Sequence, residues 1–212
     1  GPALAVADVD GDGLDDVFVG GAKWQAGTLL VQQRDGSFRA RPQPAIAADS
    51  LDEDVDAAFL DADGDGDQDL VVVSGGNEFW GDAEALESRL YRNDGKGTFT
   101  KDVNALPSIR ENAGCVLVGD FDGDGDADLF IGARVVSREY GHIPTSHLLQ
   151  NDGSGRFADV TATLAPDLVH AGMVSSGGWL DYDGDGKLDL VVAGEWMAVR
   201  LFHQEGGRFV ER

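Results

Sequence analysis

One nine-residue pattern, Asp-x-Asp-Gly-Asp-Gly-x-x-Asp, occurs four times in this 212-residue chain. The carboxylates at its positions one, three, five and nine are Asp8, Asp10, Asp12 and Asp16; Asp61, Asp63, Asp65 and Asp69; Asp120, Asp122, Asp124 and Asp128; and Asp181, Asp183, Asp185 and Asp189. Carboxylates at alternating positions of a tight loop can converge on one hard cation. Calcium accepts six to eight oxygen ligands in a flexible geometry. The pattern therefore predicts four calcium loops, one per copy. Water and the backbone carbonyl at position seven (Leu14, Asp67, Asp126 and Lys187) would complete each ligand set.

Other interpretations of the pattern fit less well. Asp-Gly pairs are common in hairpin turns, but no turn requires the ninth aspartate. Magnesium prefers a rigid octahedron and keeps several waters. An EF-hand needs a glutamate at position twelve, where this chain has Val19, Val72, Ile131 and Val192. Nonapeptide solenoid loops follow one another directly, whereas these are spaced by 53, 59 and 61 residues.

The charge balance agrees with bound metal. The loops hold 16 of the 39 acidic residues, and four calcium ions would change the formal net charge from -23 to -15. Two carboxylates about 5 Å apart repel by about 0.8 kcal/mol even at the dielectric constant of water. Each loop crowds four of them, so we expect the folded loops to tolerate the absence of a cation poorly.

The spacing of the loops is also a structural period. An apolar strand enters each loop (Ala3–Ala7, Val55–Leu60, Cys115–Gly119 and Val174–Leu180), and a second leaves it and ends at a glycine (Gly20, Gly75, Gly132 and Gly194). A third strand follows (Leu29–Gln33, Arg89–Arg92, Ser146–Gln150 and Val199–Gln204), then a Gly-containing turn and a fourth strand that starts at Phe38, Phe99, Phe157 or Phe209. Four short antiparallel strands in each unit of this length predict an all-β fold of β-propeller blades.

These repeats resemble the FG-GAP or VCBS repeat family, which includes the calcium-binding blades of integrin α-chain propellers, and the resemblance covers essentially the whole chain. Within that family the chain is most similar to bacterial secreted repeat proteins related to cartilage acidic protein, on the stretches 140–151 and Gly194-Glu-Trp-Met197. It differs from the integrin pattern in lacking Gly-Ala-Pro and in carrying the metal motif in every repeat. The resemblance implies adhesion or ligand binding by an extracellular module.

The number of blades in the complete domain is open from the sequence. We expect one propeller domain of four repeats, at about 1–50, 51–111, 112–171 and 172–212. The chain starts on a first strand and stops on a fourth, which leaves no strand to latch a ring. The sequence therefore predicts a partial propeller, with a closed four-bladed ring as the alternative. A partial propeller also has open edges through which copies of the chain could self-associate.

Composition narrows the partners and the compartment. A sequence pI near 4.2 argues against nucleic acid and anionic membrane surfaces, and no apolar run approaches the length of a membrane span. Cys115 is the only cysteine, so no internal disulfide is expected, and its apolar strand indicates a buried thiol. Calcium is abundant outside cells, which favours an extracellular or periplasmic setting. No signal peptide is recognisable in the sequence.

Three classes of function remain from the sequence: a module that binds carbohydrate or an extracellular protein, a structural spacer, and a glycoside-acting enzyme. Catalysis has the least support, because His142, His147, His170 and His203 show no zinc-protease spacing and no nucleophile elbow is present.

The loops between second and third strands carry Trp24, Trp80, Tyr140 and Trp196, and two of them, Asn77–Ser88 and Arg134–Thr145, are long. These rings either pack between blades or form a ligand platform on the face opposite the calcium loops.

Overall fold

Four separate antiparallel sheets make up the chain. The computed structural model describes residues 2–76 and 78–212. Within these ranges each sheet has four strands in sequence order, as the blade of a propeller does. The fold is therefore a four-blade partial propeller, as the sequence predicts. Asn77, the first residue of one of the two long loops, lies outside the described residues.

The strands follow the predicted repeat closely. Blade one holds β1 (Leu4–Ala7), β2 (Asp16–Val19), β3 (Thr28–Gln32) and β4 (Phe38–Arg41). Blade two holds β5 (Asp54–Leu60), β6 (Asp69–Ser74), β7 (Arg89–Asn93) and β8 (Phe99–Lys101). Blade three holds β9 (Asn112–Gly119), β10 (Asp128–Val135), β11 (His147–Asn151) and β12 (Phe157–Asp159). Blade four holds β13 (Met173–Leu180), β14 (Asp189–Glu195), β15 (Arg200–Glu205) and β16 (Arg208–Glu211).

Short helices, which the strand pattern does not predict, occupy the connections between blades. Helix α1 (Pro44–Ala48) joins blades one and two, with proline in its first turn and Ile46 buried. Helix α2 (Thr161–Leu164) and the 3-10 helix Pro166–Leu168 join blades three and four. A further 3-10 helix, Glu84–Leu86, lies inside blade two. Among the described residues, no helix has the length and apolar character needed to cross a membrane.

The hydrophobic core lies between the blades. One cluster joins blades one and two around Phe18, Leu70 and Phe99. A second joins blades two and three around Val71, Leu129 and Phe157. A third joins blades three and four around Phe130, Leu190 and Phe209. Each blade is therefore stabilised by the apolar surface that it buries against its neighbours.

This arrangement explains why the strands that leave the loops are apolar at consecutive positions. All six residues of β6 are buried, because blade two has a neighbour on each face. In β2 the burial alternates, since only one face of blade one has a neighbour. None of the core clusters of the described residues joins blade four to blade one. The chain thus forms an open arc, and the alternative of a closed four-bladed ring is not adopted.

Gly132 and Gly194 differ from their predicted role as strand ends, and Gly194 is followed by Glu195 in β14. Strand β10 continues past Gly132 to Val135, with a shift of register against β9 at this point. A Cβ on Gly132 would lie 2.8 Å from the Cys115 sulfur and 2.7 Å from a methyl group of Val174. Glycine is required at position 132 because β13 of blade four approaches β10 closely there. It does not mark the end of β10. Cys115 itself is buried as predicted, and burial raises the pKa of its thiol to about 12.

A buried charged network joins the first two blades at the edge of their core. The Arg89 guanidinium donates to Asp54 at 2.6 Å and to the Ser74 hydroxyl at 2.9 Å. The second oxygen of Asp54 accepts the backbone N–H of Gly21 in blade one at 2.7 Å. Only 3 % of the Arg89 side chain is exposed. The Asp54 carboxylate is therefore held between a cation of its own blade and a backbone donor of the previous blade.

Arg89→Met should lower the free energy of unfolding by about 3–5 kcal/mol, because it leaves a buried carboxylate without its cation. Urea denaturation in the presence of calcium measures the loss. Arg156→Met is the matched control, since Arg156 pairs with Asp102 at the surface, and it should cost about 1 kcal/mol or less. Equal losses in the two variants would contradict this role of Arg89.

Candidate functional site

The Asp-rich loops and the turns between third and fourth strands lie on one face of the arc, called here the loop face. A Cβ on Gly95, in the turn after β7, would lie 2.5 Å from an Asp67 carboxylate oxygen in the loop of the same blade. Gly153 stands in the same relation to Asp126 in blade three. The connections between second and third strands, and those between blades, are consequently on the opposite face.

The carboxylate at position one shapes each loop. Asp8 accepts the N–H groups of Gly11 and Gly13, at positions four and six, both at 2.8 Å. The equivalent aspartates accept the same two N–H groups in the other three loops. The glycines at these positions have φ between +73° and +98° in all four loops. This left-handed backbone wraps the chain around the first carboxylate.

The ninth aspartate anchors the loop to its blade. One oxygen of Asp128 accepts the N–H of Phe121, at loop position two, at 3.1 Å, and the other accepts the N–H of Asn151, at the end of β11, at 2.8 Å. Asp16, Asp69 and Asp189 make the same pair of bonds. All four are buried. Each carboxylate oxygen has two lone pairs, so these bonds leave capacity for a cation.

The predicted ligands converge in every loop. Three carboxylates per loop offer oxygens within 4.8 Å of one another, namely Asp8, Asp10 and Asp16; Asp61, Asp63 and Asp65; Asp120, Asp122 and Asp128; and Asp181, Asp183 and Asp185. Among the described residues, Asp10 Oδ1 and Asp63 Oδ1 are buried without a hydrogen-bond partner. A buried, unpaired carboxylate oxygen is costly. The all-oxygen donor set with these two orphaned atoms fits a calcium ion.

The side chains beside the position-three carboxylate differ from loop to loop, which the repeated motif does not predict. Arg41 donates to Asp10 at 2.8 Å, and Arg92 lies 3.2 Å from Asp63. Each guanidinium holds one oxygen of that carboxylate and leaves its orphaned oxygen free. Arg92 also donates to the ninth aspartate of loop two, Asp69, at 3.0 Å. In loop three an amide, Gln150, takes this place.

Loop four has two basic neighbours. The imidazole of His203 lies 2.9 Å from Asp189 and 3.7 Å from Asp183. Lys187 donates to the position-five carboxylate, Asp185, at 2.7 Å. Both basic groups compete with a metal ion for these carboxylates, so the four loops are electrostatically unequal.

Burial of the ninth aspartate is costly while no cation is bound. Burial raises the pKa of the Asp128 carboxyl to about 7, against the opposing effect of its two backbone hydrogen bonds. Burial also raises the pKa values of Asp16 and Asp69. The pKa of Asp189 is lowered in spite of burial, because it accepts hydrogen bonds from two backbone N–H groups and from His203. Metal-free loops one to three therefore hold carboxylates whose charged form is disfavoured.

An amide side chain links each of loops one to three to the next blade. Asn93 donates to the carbonyl of Val9, at position two of loop one, at 2.8 Å, and Asn151 donates to that of Ala62 in loop two at 2.8 Å. Gln204 donates to the carbonyl of Phe121 in loop three. The backbone N–H of each amide residue also bonds to the ninth aspartate of its own loop. Sequence reasoning missed this role, although an amide residue recurs there in each repeat.

The opposite face carries the four predicted aromatic residues. Trp24, Trp80, Tyr140 and Trp196 are between 52 and 81 % exposed, so they are not part of the core between blades. The Arg138 guanidinium lies 3.3 Å from the centre of the Trp80 ring. Tyr140 and Trp196 meet edge to face with ring centres 4.8 Å apart. Trp24, Arg138 and Trp196 adopt positive φ, and they are the non-glycine residues that do so in the described chain.

A cleft of about 420 Å³ opens beside Tyr140 on this face. In each of blades two to four the pairing of the first strand with the second shifts register by one residue. The residues at these shifts, Val55 in β5, Gly114 in β9 and Ser175 in β13, line the cleft. Each shift leaves one residue of a first strand unpaired and turns it out of the ladder. Polar side chains from blades two to four complete the lining: Glu53, Asn112, Arg134, Tyr140 and Glu195. Three blades thus contribute to one concave polar site.

Glu195 organises the rim of this cleft. The Tyr140 hydroxyl donates to one of its oxygens at 2.7 Å, and Arg134 donates to the other at 2.7 Å. The hydrogen bonds from Tyr140 and Arg134 lower the pKa of the Glu195 carboxyl. The carboxylate therefore stays ionised and holds the Tyr140 ring beside Trp196.

The repeats match a known family. The model of the FG-GAP-like repeat matches residues 8–72, 61–131 and 135–192. The chain belongs to the FG-GAP-like repeat family. Among curated proteins no sequence matches it significantly.

Solved structures share the fold. An Agrocybe aegerita lectin, described for specific recognition of non-reducing terminal N-acetylglucosamine, superposes with a TM-score of 0.62 at 20 % identity over 98 % of this chain and 50 % of its own. A V. cholerae biofilm matrix protein gives a TM-score of 0.41 at 16 % identity over 98 % of this chain and 29 % of its own. The chain thus spans half the length of the lectin. At this identity the first similarity shows the fold alone.

Gln204→Ala should lower the free energy of unfolding by about 1–3 kcal/mol, because it leaves the buried Phe121 carbonyl without its donor. Gln32→Ala is the matched control. Gln32 is the equivalent residue of blade one, its backbone N–H bonds to Asp16, and its side-chain amide has no partner among the described residues. Its replacement should change stability by about 0.5 kcal/mol or less. Chemical denaturation at low protein concentration compares the two, and an equal cost would contradict the linking role of the amide.

Proposed function

We propose that the chain is a calcium-stabilised, extracellular repeat module that binds a carbohydrate in the cleft of Glu53, Asn112, Arg134, Tyr140, Ser175 and Glu195. The observation that carries the proposal is the position of this cleft. It lies opposite the loop face, is bordered by exposed aromatic rings and is lined by polar groups from three blades. Aromatic rings stack on the apolar faces of sugars, while fixed donors and acceptors bond to their hydroxyl groups.

Calcium has a structural role in this proposal. A bound ion would be held by the carboxylates at positions one, three and five, the carbonyl at position seven and the ninth aspartate of each loop. It would relieve the repulsion between the carboxylates and satisfy the orphaned oxygens of Asp10 and Asp63. Because the loops lie on the face opposite the cleft, calcium would support the ligand site indirectly, by holding the blades together. Four sites of this kind suit the high calcium concentration outside cells.

The cleft favours a saccharide over a large protein surface as its ligand. The Tyr140–Trp196 pair offers two exposed rings beside a pocket whose volume suits one or two sugar units. The Arg134–Glu195 pair offers both donors and acceptors to hydroxyl groups at nearly balanced charge. The backbone strain at Trp196 indicates that its ring is held outward for a purpose other than stability. The lectin with a similar fold binds N-acetylglucosamine, which makes this sugar a sensible first probe.

A second candidate function, glycoside hydrolysis, has one observation in its favour. Two carboxylic acids, Glu53 and Glu195, line the same cleft, and glycosidases use such a pair. Glu195 would be the ionised partner, since hydrogen bonds from Tyr140 and Arg134 lower its pKa. Incubation with chitin oligosaccharides separates the candidates: a binding module returns them intact, whereas an enzyme shortens them and loses this activity in both the Glu53→Gln and the Glu195→Gln variants.

Calcium titration should reveal four sites per chain, and loop four should be the weakest because of Lys187 and His203. Isothermal calorimetry and native mass spectrometry measure the stoichiometry. Lys187→Ala should tighten the weakest site about two- to fivefold by removing a competing cation, while Lys96→Ala, also on the loop face, should leave the calcium affinity unchanged.

Asp124→Ala and excess chelator should each lower the melting temperature, and Asp167→Ala, outside the loops, should leave it unchanged. Two sites or fewer in a folded sample would refute the four-site interpretation.

Carbohydrate binding should depend on Tyr140 and Trp196 but not on exposed rings of the loop face. A glycan array probed with and without calcium identifies the ligand, and calorimetry then measures its affinity. Tyr140→Ala and Trp196→Gly should each weaken binding more than about tenfold. Trp196→Gly should also maintain or raise stability, since glycine adopts positive φ freely. Tyr182→Ala is the matched control, and the proposal fails if it weakens binding as much as Tyr140→Ala.

A further inference from the structure

A second cavity, of about 250 Å³, lies beside the cleft on the same face of the arc. It lies between the long loops of blades two and three and the start of β9, and its lining includes Leu86, Arg110, Ser137, Ile143 and Pro144. The carbohydrate site proposed for the cleft does not include this cavity. Its volume suits about one further sugar unit.

The two cavities share a wall. Asn112 and Val135 line both of them. The buried Asn112 amide donates to the carbonyl of Gly76, which lines the cleft, at 2.8 Å, and to the hydroxyl of Ser137, which lines the second cavity. This side chain therefore fixes the distance between the two cavities, so that a ligand occupying both would meet a site that is already formed.

An aromatic ring stands at the rim of the second cavity. Gly81 and Ser137 line this cavity, and their chain neighbours are Trp80 and Arg138. The Arg138 guanidinium lies over the Trp80 ring, which is still 52 % exposed. A planar cation stacks on one face of a ring and leaves the other face for a ligand. Trp80 is therefore held in place at the rim with ring surface to spare.

The second cavity combines the same kinds of chemical group as the cleft. In the cleft, Tyr140 supplies an exposed ring, and Arg134 supplies a donor that a carboxylate holds in place. In the second cavity, Trp80 supplies the ring, and the Arg110 guanidinium is held 3.0 Å from the Asp82 carboxylate. Each cavity thus places an aromatic surface beside fixed polar groups. A sugar unit is complementary to that combination, because it has apolar ring faces edged by hydroxyl groups.

We propose that the cleft and the second cavity are two subsites for one linear oligosaccharide, with Trp80 as the stacking residue of the second subsite. The second subsite rests on the proposed function of the cleft, and it sets a minimum length for the ligand. One linked chain suits the site better than two separate sugars, because the cavities share a wall and the second contact of a tethered ligand costs little further translational freedom. Affinity therefore increases once a chain reaches both subsites.

Calorimetry in calcium with two series of sugars tests this arrangement. One series is N-acetylglucosamine with chitin oligosaccharides of increasing length, and the other is glucose with the corresponding cello-oligosaccharides. In a series that binds, affinity should rise more than about tenfold between the shortest member that binds and the chain that reaches both subsites. One oligosaccharide should then be bound per protein chain.

Variants of the two subsites should have different effects. Trp80→Ala and Ile143→Asp should each remove the gain with length and leave the affinity for the shortest binding member unchanged, since both side chains are exposed at the second subsite. Trp80→Phe keeps an aromatic face and should retain part of the gain. Tyr140→Ala should weaken the binding of every member, because Tyr140 lines the cleft.

Trp24→Ala is the matched control, since Trp24 is an exposed indole of the same face that lines neither cavity, and it should change no affinity. Circular dichroism melting verifies that every variant is folded. If short and long members bind equally well, or if Trp24→Ala costs as much as Trp80→Ala, the second subsite is wrong while carbohydrate binding in the cleft stands. If the folded chain binds no member of either series, the second subsite is likewise wrong, and the glycan array decides separately whether the cleft binds carbohydrate.

Discussion

Every blade of this arc depends on its neighbours, because a four-stranded sheet with two apolar faces cannot bury either of them alone. The three core clusters lie between blades, and blade two is covered on both sides. Removing apolar surface from water is the main favourable term in folding, so most of the stability of the chain is interfacial. Stability of this kind is close to a sum over neighbouring repeats. The same constraint leaves the first and the last face of the arc open.

The Asp-rich loops are part of these interfaces. The residue at position two of a loop is covered by the following blade. Its backbone carbonyl accepts a hydrogen bond from a side-chain amide of that blade, as the carbonyl of Phe121 does from Gln204. The ninth aspartate ties the same loop to the end of its own third strand. Each such loop therefore belongs to two blades at once. Repulsion between its carboxylates, and the cost of burying a charged residue such as Asp128, destabilise the contact between those two blades. A cation that neutralises one loop would stabilise the contact between two blades, and the four loops would be coupled along the chain.

The sequence predicts the strands, the four-blade arc and the gathering of carboxylates in each loop, because all of these depend on local patterns that recur with the repeat. The link made by Asn93 and Asn151 was missed, since Asn-Asp-Gly also indicates a turn and a turn is present there. The pattern predicts a strand that ends at Gly132, but the small size of this residue serves contact with Val174 across blades. The cleft could not be predicted, because register shifts in three different strands meet there only after the blades have stacked. Local chemistry was visible in the sequence, and long-range convergence was not.

The two faces of the arc differ in which residue types adopt positive φ. On the loop face, glycines adopt it at positions four and six of every loop, at no steric cost. On the opposite face, Trp24, Arg138 and Trp196 adopt it although each has a bulky side chain, which costs about 1–3 kcal/mol per residue. Glycine also adopts positive φ on this face, at Gly76, Gly81, Gly141 and Gly172, so the three non-glycine residues are exceptions there. Two of these residues hold exposed indole rings, and the third places a guanidinium over Trp80. These three side chains are therefore held in place at a cost in stability, which supports the proposal that this face binds a ligand.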